Sequence, residues 1–262
     1  MKAASILGLL LAVSSGSAMG GVEDNVMKQL AATGKLRVGV AYAPAPTPVF
    51  VAKDAGGDVH GVPRDLGSAL AKALGIEAEL VVKATTAELT DSLASGTIDI
   101  GFMPADDARR QRVDFSPPYF TIESTYLVAG APDIKTLGDV DRPDITVVGI
   151  TGSTTLAAAG RSLKTAKIVG AKSVDEAMSM MNSGAAQAFA LTHDSLPSLQ
   201  RNLPNSRILD GAFQITGVAI AVPKGRPEAL AFVKRFVEGA KSDGTIRRAF
   251  DAAGLSGLPI TP

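Results

Sequence analysis

Apolar residues along this chain come in two rhythms. Leu36–Ala41, Glu79–Val82, Ile98–Met103, Thr146–Thr151, Gln187–Leu191 and Gly217–Val222 are short runs of β-branched or small apolar residues bounded by turn formers, the pattern of buried strands. Between them the apolar positions spread to helical spacing. Leu66, Leu70 and Leu74 recur every fourth residue before Gly75, with Asp65 at the cap or in the first turn. Leu156 to Leu163 follows a hydroxyl-rich turn. Pro227 opens a long helix carrying Phe232, Val233, Phe236 and Val237, and Ile246 with Phe250 suits a final short one; these large residues read as core, not as a cofactor box. The Pro-rich run Ala43–Pro48 is loop. Pro104 closes the strand before it, because proline has no N–H to offer a sheet ladder.

One unit occurs twice. Thr85-Thr86-Ala87-Glu88 reads as a capping box, is followed by Leu89 and Leu93, stops at Ser95-Gly96 and leads into the strand Ile98–Met103. Ser173-Val174-Asp175-Glu176 is a second box, followed by Ala177, Met180 and Met181, a stop at Ser183-Gly184 and the strand Gln187–Leu191. Past the first strand lies a charged turn from Asp106 to Arg112 that contains Arg109, Arg110 and Arg112; past the second lies Thr192-His193-Asp194-Ser195. Helix-to-strand connections commonly carry such caps, yet two similar α/β units presenting opposite charge are what a cleft binder requires. The spacing is too irregular for a solenoid.

Composition narrows the chemistry. Among 262 residues Lys+Arg and Asp+Glu both number 26, so the formal net charge is 0 and nothing points to nucleic acid or an anionic membrane surface as a partner. With no Cys there is no disulfide, thiol nucleophile or cysteine metal site, and His60 and His193 alone leave little room for zinc or a Ser-His triad. An aromatic content of 5% with no Trp is poor material for sugar stacking. The length allows one or two domains with an ample core. The N-terminus has the form of a secretory signal peptide: Lys2, an apolar stretch Ile6–Val13 and small residues Ser14–Gly20, with a cut expected after Ala18 or Gly20. That stretch is too short to span a bilayer and no Cys follows it for lipid anchoring, so the mature chain is expected to be exported and soluble.

In sheets with parallel strands, ligands bind beyond the strands' carboxyl ends. The arginines past Pro104 are therefore a candidate anion clamp. The bland alternative is a solvated helical turn in which Asp106 pairs with Arg109 or Arg110. The flanking residues favour the clamp: Arg109-x-x-x-Val113-Asp114-Phe115-Ser116-x-Pro118-Tyr119 resembles the signature of the type II periplasmic solute-binding proteins, specifically family 3, the polar amino acid class of ABC-transporter receptors. Gly61, Asp65 and Leu66 match a second family pattern, with Val62 in place of its aromatic. Val148-Gly149-Ile150-x-Gly152-Ser153-Thr154-Thr155 matches a third, with Ser153 where the family has glycine. The resemblance covers roughly Lys35 to Gly254.

The resemblance implies an α/β, two-lobed, periplasmic-binding-protein-like (type II) fold, with two α/β lobes of mixed sheet joined by two crossing strands. Its divisions would be a signal peptide at 1–20, lobe 1 at 34–121 plus 216–262, and lobe 2 at 122–215. It implies hinge closure over a small ligand whose α-carboxylate meets Arg109 and the Ser153-Thr154-Thr155 turn, and whose α-ammonium meets Asp194. Phe102 and Pro104 would line the cleft. Tyr42 would stand in for the aromatic that the family places after the first strand, where this chain has Ala45-Pro46-Thr47-Pro48-Val49. The implied partners are a small carboxylate-bearing solute and a membrane permease, for a monomer in the periplasm with no cofactor, metal or catalytic residue. An enzyme is the second reading, since cyclohexadienyl dehydratases also resemble the family; its acid–base candidates would be Asp106, Asp107, His193 and Asp194. A sensory or accessory binding protein is the third.

Overall fold

The structure, a computed structural model, describes residues 17–42, 45–129 and 133–261. The apolar stretch of the expected leader, Ile6–Val13, lies outside these residues. Helix α1, Ser17–Leu30, spans both expected cleavage positions. The chain then forms strand β1 (Lys35–Ala41), a small hairpin of β2 (Ala52–Lys53) and β3 (Val59–His60), α2 (Val62–Ala73), β4 (Glu77–Lys83), α3 (Thr86–Ala94), β5 (Ile100–Pro104), α4 (Asp107–Arg110) and β6 (Val113–Phe115). A long strand, β7 (Phe120–Ala129), leads to β8 (Thr146–Ile150), α5 (Thr154–Ser162), β9 (Lys167–Ala171), α6 (Val174–Asn182), β10 (Ala188–Thr192), α7 (Leu196–Gln200) and β11 (Ser206–Ile208). A second long strand, β12 (Gln214–Pro223), leads back to α8 (Pro227–Ser242) and α9 (Thr245–Ala252).

The main sheet runs β4-β1-β5-β12-β7-β10-β8-β9. At one end β1 lies parallel to β4 and β5; at the other β8 lies parallel to β9 and β10. Strands β7 and β12 cross between these ends and run antiparallel to each other from Gln214↔Ser124 to Val218↔Phe120, so the two lobes' mixed sheets join into one curled sheet. The alternation of the strands divides the buried side chains accordingly. Val38, Leu66, Ile220 and Phe250 pack under α2, α8 and α9, with Leu89, Met103 and Ala221 beneath α3. Val148, Met181 and Phe189 fill one core of the other lobe, and Tyr126, Val147 and Ala190 a second. Leu66 and Leu70, at 1% and 0% exposure, are the stripe read from the sequence; each such burial contributes roughly 1.5–3 kcal/mol.

The caps behave nearly as expected. The Thr85 hydroxyl accepts from the Glu88 N–H at 3.2 Å and donates to its carboxylate at 3.2 Å. The Ser173 hydroxyl accepts from the Glu176 N–H at 3.2 Å, but the Glu176 carboxylate takes the Lys172 N–H, one residue earlier than a closed box would. Between the two sets of cores, buried polar side chains appear among the apolar ones: Ser124 and Thr125 on β7, Thr216 on β12 and Thr192 at the end of the neighbouring β10.

Candidate functional site

Helix α4 is only four residues long and follows directly on β5, so its geometry depends on its cap. Asp106 provides it, accepting from the Arg109 N–H at 2.8 Å. This use of the carboxylate differs from the pairing with the guanidinium considered from sequence. The Arg109 side chain turns inward, 7% exposed, while Arg110 lies 5.3 Å from the Phe115 ring centre and Arg112 pairs with Asp91 at the surface. One short turn thus sorts three arginines into one buried and two outer positions.

The buried guanidinium is held by neutral oxygens. Its Nη1 donates to the Pro104 carbonyl at 2.9 Å, and its Nη2 to the Thr86 hydroxyl at 2.7 Å and to the Gly152 carbonyl at 3.2 Å. Among the described residues it forms no ion pair. Burial pulls its pKa below the ordinary arginine value, and the charge of Asp106 partly offsets this. Thr86 and Gly152 were not anticipated as site residues. Thr86 stands one position after the cap Thr85 and is 2% exposed, so the signal was a second threonine at the helix start with no capping duty.

Gly152 belongs to the turn between β8 and α5, in the other lobe. Its φ of 77° is left-handed, and a Cβ there would come within 3.0 Å of the Ala87 Cβ. Glycine lets the two lobes approach at this point and leaves its carbonyl for Arg109. A cavity of about 360 Å³ opens beside this contact, lined by residues of α3, α4 and the start of α5, including Thr90, Asp106, Arg109, Ser153 and Leu156.

The hydroxyl-rich turn is buried: Ser153, Thr154 and Thr155 are 7%, 3% and 1% exposed. Ser153 caps α5, accepting from the Leu156 N–H at 3.1 Å. The Thr155 and Ser124 hydroxyls lie 3.1 Å apart, which ties α5 to the crossing strand β7. Asp194 is half-buried just past β10, where the Ser195 hydroxyl donates to its carboxylate at 3.4 Å and the Thr192 and Ser195 hydroxyls lie 3.0 Å apart. Burial raises the Asp194 pKa, against the lowering effect of its hydrogen bonds and of His193. Asp194 has no ion pair among the described residues.

The structure brings Arg109 and Ser153 together at the cavity, with the Pro104 carbonyl and Thr86 behind the guanidinium. Thr155 and Asp194 are not among the residues lining this cavity; Thr155 is tied to Ser124 of β7, and Asp194 to Thr192 of β10 through Ser195. Phe102, expected to line the cleft, is buried. On β5 it alternates onto the core face, 1% exposed and edge-on to Tyr119 with ring centres 6.0 Å apart. Tyr42 packs at the margin of the same core, with the Lys53 Nζ 6.0 Å from its ring centre. From the loop after β1, Ala45 reaches across and is buried within the second lobe's core. Among the described residues no cluster of His, Asp or Glu could hold a metal ion.

Comparison with known proteins agrees with this architecture. A glutamine-binding protein of Geobacillus stearothermophilus is 29% identical over 194 residues, covering 72% of each chain. An ancestral amino acid-binding protein, described as a precursor of cyclohexadienyl dehydratase, superposes with a TM-score of 0.72 at 32% identity, covering 88% of this chain and 98% of that one. An ancestral arginine-binding protein bound to arginine superposes with a TM-score of 0.73 at 30% identity, covering 84% and 97%. The family model of the bacterial extracellular solute-binding proteins, family 3, matches residues 36–252, from the first strand to the last helix, and the chain belongs to that family.

Proposed function

We propose that this protein is the exported, periplasmic receptor of an ABC transporter, that it captures an amino acid between its lobes, and that it presents it to a membrane permease. One observation carries this reading: Arg109 is buried where the lobes meet, and its guanidinium hydrogen-bonds only to neutral acceptors, with Asp106 acting on it through charge alone. A carboxylate is the partner such a guanidinium lacks, and a charge-assisted Arg–carboxylate bond strengthens as water leaves a closing cleft. The α-carboxylate takes Arg109, sharing the N-terminal turn of α5 at Ser153–Thr155, and the α-ammonium takes Asp194. The moving bodies are 34–121 plus 216–262 and 122–215, hinged on β7 and β12. The protein works as a monomer without a cofactor, after removal of residues 1–18 or 1–20.

The test is a thermal-shift screen of the mature protein against the twenty amino acids, with calorimetry on each hit. A ligand that binds only the folded state raises Tm. Stoichiometric binding without turnover of prephenate or arogenate is expected. Turnover of either would move the assignment to an enzyme of the dehydratase type, and no shift with any amino acid would overturn the receptor reading.

A further inference from the structure

Three adjacent strands carry a polar row at the crossing. Register places Thr192 of β10 opposite Ser124 of β7, and Ser124 opposite Gln214 of β12. Residues paired in this way point to the same face of a sheet, so Thr192, Ser124 and Gln214 stand side by side. Two members of the row are already spoken for. Ser124 meets the Thr155 hydroxyl, and Thr192 meets Ser195, which in turn reaches Asp194. Gln214 is the exception, because its Oε1 is buried and accepts no hydrogen bond. A buried carbonyl left without a donor is destabilising relative to one that has found a partner. Nothing in the packing of the two cores needs an amide there: the next residue inward on the same face of β12 is Thr216, and the apolar core begins only at Val218.

Building on the receptor reading, we propose that Gln214 is a specificity residue whose Oε1 accepts an N–H from the ligand's side chain, selecting amino acids that end in an amide, ammonium or guanidinium group. Position supports a side-chain contact over a second contact to the α-ammonium. Gln214 lies two strands from Thr192, about 10 Å away at ordinary strand spacing, and Asp194 lies past the Thr192 end of the row. The two acceptors therefore flank a ligand from opposite ends. Arg109 stands off the row, past β5, whose Pro104 pairs with Val218 four residues along β12 from Gln214. Three separated contacts of this kind, to carboxylate, α-ammonium and side-chain nitrogen, define an extended polar amino acid.

Calorimetry with isosteric pairs tests this. The wild type should bind L-glutamine at least about tenfold more tightly than L-glutamate, or L-lysine at least about tenfold more tightly than L-norleucine. Gln214→Leu should abolish that preference while leaving the Tm of the free protein equal or higher, since the unpaired carbonyl is gone. Gln214→Glu, which keeps an acceptor of the same length, should retain or increase the preference for L-lysine over L-norleucine. A merely structural Gln214 would instead lower Tm and weaken both members of each pair equally. That result, or a wild type that shows neither preference, overturns the proposal and leaves the receptor reading intact. A wild type that binds no amino acid overturns both.

Discussion

Two arginines near strand ends of the first lobe show opposite solutions to holding a guanidinium. Arg37 is engaged by Asp99: its Nε and Nη2 donate to the two carboxylate oxygens at 2.9 and 2.7 Å, and its own backbone N–H donates to the same group at 2.9 Å. Gly96 supplies a carbonyl at 2.8 Å and Arg226 approaches Asp99 to 3.7 Å. The side-chain bond to Asp99 raises the Arg37 pKa. Arg109 is nearly out of water, and its guanidinium has three neutral acceptors and no carboxylate bonded to it; Asp106 takes only its backbone N–H, and burial lowers its pKa against the partial offset of the Asp106 charge. Where the fold needs an arginine for itself it supplies the counter-charge. A buried charge without one is expensive, and a site that receives an anion is the setting in which that arrangement is useful.

Breaking the structural half of this contrast should have the largest effect on stability. Asp99→Ala leaves Arg37 without its carboxylate and should cost about 3 kcal/mol, the lower end of the range for a broken buried pair because Arg37 retains 21% side-chain exposure. Urea unfolding should show the lowered midpoint, while ligand affinity of the folded protein stays at the wild-type value. An unchanged midpoint would remove the structural role assigned to the pair.

Asp194, the proposed ammonium partner, sharpens the contrast through pH. Burial raises the Asp194 pKa in the free protein, and an ammonium partner lowers it in the complex. Affinity is then full above the raised free-protein value and falls as pH drops through it, because the ligand must expel a proton to bind. Asp194→Asn should weaken amino acid binding by about 2 kcal/mol, roughly 30-fold, and flatten that acid limb. Calorimetric titrations repeated from neutral pH downward measure both; a limb that survives in the Asn variant assigns it to another group.

The smallest of these effects belongs to Thr86. Thr86→Val keeps the shape and removes the hydroxyl that accepts from Arg109 Nη2. Loss of that hydrogen bond should cost about 1 kcal/mol of affinity, several-fold in Kd, with little change in unfolding midpoint. A large stability loss with unaltered affinity would make Thr86 a packing residue of α3.

Much of the lobe architecture was legible because it rests on local signals. The strands from Leu36 to Val222 and both capped helices follow from runs, caps and stops that the chain writes in order, whereas the two crossing strands were implied only by the family resemblance. The hairpin Ala52–His60 and strands β6 and β11 are too short to show a period, and α7 has five residues. Arg109 could be chosen from its motif spacing. Its partners could not, since Thr86 and Gly152 lie 23 and 43 residues away and meet it only after folding. Phe102 was read as cleft lining from the family's pattern; β5 is buried on both faces, with Phe102 in one core and Met103 in another. Gln214 drew no attention in the sequence, because an unpaired carbonyl has no signature there.

The assignment of Arg109 as carboxylate anchor is tested most directly by a cycle of protein and ligand changes. Calorimetry would compare wild type, Arg109→Ala and Arg112→Ala, each with a bound L-amino acid and with the same amino acid's carboxamide. The carboxylate ligand should lose about 2–5 kcal/mol on Arg109→Ala, roughly 30-fold to several-thousand-fold. The carboxamide should be weak on wild type and lose little more, and Arg112→Ala, whose guanidinium pairs with Asp91 at the surface, should bind both as wild type does. Equal losses for the two ligands, or an Arg109→Ala variant that binds the amino acid unchanged, would contradict the assignment.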